Sequence, residues 1–90
     1  MRLTGKVAVV TGGARDIGRA VSLKLAREGA RIVLNYYDNK EDAEETLKQI
    51  FAEGGKAIAV QGDMTKAADV KRLFEEAVKA FGEHVHILVN

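Results

Sequence analysis

The chain has 90 residues, 47% of them hydrophobic and 30% charged, with 14 basic and 13 acidic side chains and a formal net charge of +1. That balance excludes a disordered chain and supplies no field to gather nucleic acid or an acidic membrane, and no apolar run approaches the ~18 residues that span a bilayer. Cysteine is absent, which excludes disulfides and thiolate metal sites and fits a cytoplasmic protein.

The opening segment Met1–Lys6 has no apolar targeting core. Lys6–Thr11 is short and β-branched and reads as a buried parallel strand. It runs directly into Thr11-Gly12-Gly13-Ala14-Arg15-Asp16-Ile17-Gly18. Ile17, Ala20, Val21 and Leu25 then recur at helical spacing, and Gly29 supplies a left-handed stop. Arg31–Tyr36 reads as the second strand. Asp38 and Glu41 predict a capping box for a second helix, with the stripe Ala43, Leu47, Ile50 and Phe51 and an end at Gly54-Gly55. Lys56–Gln61 is the third strand. Thr65 is the expected N-cap of a third helix with the stripe Val70, Leu73, Phe74, Ala77, Val78 and Phe81, ended by Gly82. His86–Asn90 begins a fourth strand. Acidic residues such as Glu41 to Glu45, near Lys40 and Lys48, read as solvated helix faces.

The order β-α-β-α-β-α-β implies right-handed crossovers and a parallel sheet. There is no proline, linker or repeat beyond this alternation, so residues 1–90 read as part of one domain. A strand that turns on glycines into a helix leaves backbone N–H groups at the positive end of that helix, where a pyrophosphate binds. Gly12 and Gly18 sit at that junction, and a nucleotide cofactor is the first functional reading.

The spacing Gly12-x-x-x-x-x-Gly18 departs from the general pattern G-x-G-x-x-G. It resembles instead the loop of the short-chain dehydrogenase/reductase family, T-G-x-x-x-G-x-G. Thr11, Gly12, Ile17 and Gly18 match, and Asp16 replaces the middle glycine. Gly62-Asp63-Met64-Thr65 is similar to that family's adenine-contacting segment. Ile87-Leu88-Val89-Asn90 is similar to the lead-in to its N-N-A-G motif, ending after the first Asn. Within the family the chain looks most like the 3-oxoacyl-carrier-protein reductases and glucose dehydrogenases. The resemblance implies the N-terminal half of a Rossmann-type α/β fold, a doubly wound parallel sheet in the order 3-2-1-4. It implies hydride transfer between a nicotinamide dinucleotide and a small carbonyl or alcohol, in a protein that assembles as a homo-oligomer, a tetramer when complete. The cofactor residues it implies are Gly12, Arg15, Asp16, Ile17, Gly18, Tyr36, Asp63, Met64 and Asn90.

Three of these positions carry two readings. Thr11 closes the turn with its hydroxyl or touches the cofactor. Asp63 accepts from the adenine amine or serves as a turn residue before Thr65. Asn90 takes part in the site or only satisfies backbone groups of the sheet. At position 16 a carboxylate beside a pyrophosphate is repelled. Asp16 is therefore expected to face outward at the start of the helix, favoured by the dipole. An NAD site usually offers an acid near the end of the second strand. Here that position is Tyr36, Asp38 comes two residues later, and Arg15 and Lys40 supply bases nearby. A guanidinium grips a 2′-phosphate bidentately, so NADP(H) is expected to be favoured over NAD(H).

The family's catalytic serine and its Y-x-x-x-K pair have no counterpart. Ser22 is the only serine and falls inside the first helix. Tyr36 and Lys40 have the Y-x-x-x-K spacing, but just past the second strand rather than on a helix beside the nicotinamide. His84 and His86 read as strand-entry residues, and no His/Glu set has metal-ligand spacing. The chain thus reads as a cofactor-binding portion, inactive alone. A stand-alone nucleotide-binding or regulatory module is the alternative. A receiver-like domain is disfavoured because the first strand ends in Thr11-Gly12, with no phosphoacceptor acid. Ile87-Leu88-Val89 would form an apolar sheet edge, and one face would carry a single helix. Self-association or partial disorder is expected; light scattering that finds a well-folded monomer would count against it.

Overall fold

The computed structural model describes residues 2–12, 14–82 and 84–90, so Gly13 of the glycine run lies outside the described residues. The elements are β1 (Val7–Val10), α1 (Asp16–Arg27), β2 (Arg31–Tyr36), α2 (Lys40–Ala52), β3 (Lys56–Gln61), α3 (Ala67–Phe81) and β4 (Ile87–Val89). All strand pairs are parallel and the order is β3-β2-β1-β4, as the alternation of elements requires. The second and third strands have the expected bounds. The first and fourth are each shorter than expected, because Lys6, Thr11, His86 and Asn90 flank the ladders.

Alternation along the strands builds two cores. Ala8, Val10, Ile32 and Leu34 face one side, where Ala43 and Ile50 of α2 and half-buried Val21 and Leu25 of α1 cover them. Val7, Val9, Val33 and Val60 face the other, where Leu73 and Ala77 of α3 cover them. Two helices thus lie on one face and one on the other. Leu73 is 1% exposed, and its burial contributes about 2–3 kcal/mol to the thinner face.

Four local expectations are corrected. Asn39, not the Asp38–Glu41 box, caps α2: its Oδ1 accepts from the Asp42 N–H at 3.1 Å, because the helix begins at Lys40. Thr65 does not cap α3, which begins at Ala67; its hydroxyl donates to Asp63 Oδ1 at 2.6 Å. Phe51 and Val78 are 53% and 46% exposed. Each follows a buried residue, Ile50 or Ala77, and one helical step turns it about 100° off the packed face. Ile17 and Ala20 are also exposed; the buried side chain of α1 is Ser22.

Gly29 does terminate α1. At φ 96° its N–H reaches the Ala26 carbonyl at 3.0 Å, and the Ala30 N–H reaches Leu25 at 3.1 Å. These are the paired bonds of a Schellman stop, which needs a left-handed residue. The same two bonds end α2 at Gly54 and Gly55. The adjoining helix ends are clipped together by Arg27, whose Nε and second guanidinium nitrogen donate to the two Glu53 carboxylate oxygens at 2.6 and 3.0 Å. The hydrogen bond from Arg27 holds the Glu53 carboxyl below its ordinary range; burial opposes it, and the charge of Arg27 adds a smaller effect in the same direction as the bond. A depressed folded-state pKa contributes stability above the unfolded value of about 4.3 and loses it as pH falls through the folded one. Urea titrations are expected to show a loss of stability on acidification that is smaller in Glu53→Gln.

Candidate functional site

The sheet order reverses at β1: the chain crosses to β2 on one side and later to β4 on the other. Such a reversal opens a crevice at the C-terminal ends of the strands. Thr11 and Gly12 leave β1 at that point. Gly12 has φ 66°, and a Cβ built there would meet nothing within 4 Å, so the space over the loop is open. Helix α1 follows with no side chain bonded to cap its N-terminus, unlike α2. Its first turn holds Asp16, Ile17 and Gly18, and Ile17 is 80% exposed, a large apolar side chain standing free beside the loop.

Asp16 is the one non-glycine at positive φ, 54°, among the described residues. A left-handed backbone is one that glycine adopts freely, and aspartate is among the other residues that tolerate it best. Its side chain is exposed.

Gly12, Ala14 and Arg15 face Tyr36, Tyr37, Asp38 and Asn39 across a cleft of about 160 Å³. Arg15 and Tyr36, more than twenty residues apart in the chain, therefore share one wall-to-wall space. A larger cleft of about 330 Å³, lined by Thr4, Arg27, Arg31 and Glu53 among others, lies at the opposite end of the sheet. The C-terminal ends of α1 and α2 face it with their negative dipole poles, so it is the poorer place for a phosphate.

At the other end of the crevice the Thr11 hydroxyl lies 3.2 Å from both the Val89 carbonyl and Asn90 Oδ1. Thr11 thus closes β1 onto β4 and brings Asn90 to the same crevice. Asp63 is half-buried after β3. Its Oδ1 accepts from the Thr65 hydroxyl at 2.6 Å and the Thr65 N–H at 2.9 Å, a turn of the kind aspartate favours. The hydroxyl bond first, then the amide bond, and more weakly the charge of Lys66 hold the Asp63 carboxyl below its usual range. Met64 packs with the α3 face instead of standing free.

Three site-supporting residues, Arg19, Thr46 and Asn35, lie outside the set expected from the sequence. Arg19 Nε donates to the Thr46 hydroxyl at 2.8 Å, and its second nitrogen donates to the carbonyls of Ala14 and Asp42, both at 3.2 Å. The Thr46 hydroxyl donates to the same Ala14 carbonyl. This node ties the glycine loop to α2. Its residue types suit an exposed helix face equally well, so the sequence carries no signal for it. Asn35 did carry one, a lone amide after Ile32-Val33-Leu34. It is 4% exposed, and Nδ2 donates to the Gly62 and Val60 carbonyls at 3.1 and 3.3 Å, fixing the start of the Asp63 turn beside Tyr36.

Comparison with known proteins adds the family. The family model described as short chain dehydrogenase matches residues 6–90. A hydroxynaphthalene reductase-like protein of Metarhizium robertsii is 46% identical over 88 residues, 98% of this chain and 33% of the relative. The chain thus spans about a third of the length of the curated relatives it matches. The crystal structure of a short chain dehydrogenase from Burkholderia cenocepacia in complex with NADP superimposes with a TM-score of 0.93 at 40% identity, covering 100% of this chain and 36% of that one. A metagenomic short-chain oxidoreductase, also in complex with NADP, gives 0.88 at 33% identity, over 98% and 39% of the two chains. With its sheet order and glycine loop in place and the family match running across nearly its whole length, this chain belongs to the short-chain dehydrogenase family.

Proposed function

We propose that residues 1–90 are the N-terminal dinucleotide-binding portion of an NAD(P)(H)-dependent oxidoreductase, with NADP(H) favoured. The observation that carries the preference is the cleft between the glycine loop and the β2 tip, which Arg15 lines on one side and Tyr36 on the other, Tyr36 standing at the strand end where an NAD site would offer an acid. The NADP complexes of two similar proteins support the same reading.

In this reading the first-turn amides of α1 and the open loop at Gly12 hold the pyrophosphate. Ile17 and Gly18 line its approach, and Asp16 stays in solvent. Arg15 takes the 2′-phosphate beside Tyr36. The second carboxylate oxygen of Asp63, with Met64 next in the chain, receives the adenine amine. Asn90 and Thr11 border the crevice toward the nicotinamide. The bound cofactor supplies hydride exchange with a carbonyl or alcohol. The Ser and the Tyr–Lys pair for that step have no counterpart in this chain, since Tyr36 ends β2 and Lys40 begins α2, paired with Glu44 at 3.8 Å. The chain alone is therefore inactive in this reading, and the complete protein is a cytoplasmic homotetramer.

Two titrations test it. Arg15→Ala is expected to weaken NADP+ about tenfold, or 1.4 kcal/mol, and to leave NAD+ within about twofold; an unchanged ratio in calorimetry refutes the preference. Asp16→Gly is expected to change affinity for either dinucleotide by less than about tenfold, because its carboxylate is turned away. A larger gain would identify Asp16 as an obstruction at the phosphates.

A further inference from the structure

Arg15 is not an isolated cation. Its guanidinium lies 3.6 Å from Asp42 Oδ2, while Asp42 Oδ1 lies 3.8 Å from the Arg19 guanidinium. Asp42 thus shares one carboxylate between the arginine that faces the cleft and the arginine that ties the glycine loop to α2. The pair with Arg15 is loose: the two side chains are 61% and 31% exposed. An ion pair this open contributes little by itself, so an arriving dianion can displace it at small cost.

We propose that Asp42 is a selectivity-determining residue, a resident counter-ion on Arg15 that a 2′-phosphate must displace and that restrains the preference for NADP(H). The inference rests on the reading of Arg15 as the 2′-phosphate ligand. A 2′-phosphate carries about −1.5 to −2 charges. In the free protein Asp42 occupies the cation it needs, and in the complex the same carboxylate remains close enough to repel it. A ligand with free ribose hydroxyls meets neither effect. Asp42 therefore acts on one class of dinucleotide alone.

The carboxylate is separable from the fold. Apart from the ion pairs to Arg15 and Arg19, the contacts of Asp42 among the described residues run through its backbone: its N–H to Asn39 Oδ1 at 3.1 Å, and its carbonyl to Arg19 at 3.2 Å and to the Thr46 hydroxyl at 3.0 Å. Asp42→Asn keeps these backbone contacts and removes the charge, and with it the ion pairs to Arg15 and Arg19.

Calorimetric titration of the chain with adenosine 2′,5′-bisphosphate and with 5′-AMP isolates the 2′-phosphate. Asp42→Asn is expected to strengthen the bisphosphate about threefold to tenfold and to leave 5′-AMP within about twofold. Asp42→Ala is expected to do the same. In an Arg15→Ala background the substitution is expected to move the ratio less than it does in the parent, since the cation that Asp42 occupies is gone and only the direct repulsion remains. A ratio in Asp42→Asn that stays level or falls overturns the role of Asp42, provided Arg15→Ala lowers it in the parent. If Arg15→Ala leaves the parent ratio unmoved, the placement of the 2′-phosphate at Arg15 fails, and this inference fails with it.

Discussion

Burial of β1 on both faces is the constraint from which the rest of the structure follows. Val7, Ala8, Val9 and Val10 are each 0–1% exposed. A strand covered on both sides needs a neighbour on each edge and a helix layer on each face. Parallel neighbours need crossovers, and right-handed crossovers on either side of β1 put α1 and α2 on one face and α3 on the other. The reversal of strand order at β1 is thus a consequence of burying it. The crevice at its C-terminal end comes with that reversal.

The glycine loop is held by a polar node more than by apolar packing. Arg19 and Thr46 converge on the Ala14 carbonyl, so the loop is fastened to α2 from below while its open side stays clear. Buried polar groups must be bonded, and here the requirement is met by groups from α1, α2 and the loop together. Asn35 does the equivalent for the turn after β3. Two loops that border the crevice are therefore set by hydrogen bonds from neighbouring elements, which favours a site already shaped before a ligand arrives.

Charge around the cleft is arranged in alternation, Arg15, Asp42, Arg19. These three groups sum to one positive charge, which Asp38, also lining the cleft, offsets. Asp16 adds a negative charge at the head of α1, where the helix dipole favours it. Its left-handed backbone shows that the loop's path is imposed by β1 and α1 rather than by the residue at that position.

The sequence by itself determined the element order, the parallel sheet, the bounds of β2 and β3 and the helix stops at Gly29, Gly54 and Gly82. These depend on periodicity and on glycine, which act within a few residues. It also placed the glycine loop between β1 and α1. The cap positions of α2 and α3 fall at Asn39 and Lys66 instead of the expected residues, because several polar residues stand in a row before each helix. Only the tertiary structure decided which polar residues meet. Arg19 and Thr46 are 27 positions apart, and their contact depends on how α1 and α2 are rotated against each other. That rotation is fixed when Ala43 and Ile50 pack onto the sheet. It is the same packing that turns Asp42 toward Arg15, because a helix's facing is settled by what it buries and not by its own sequence alone.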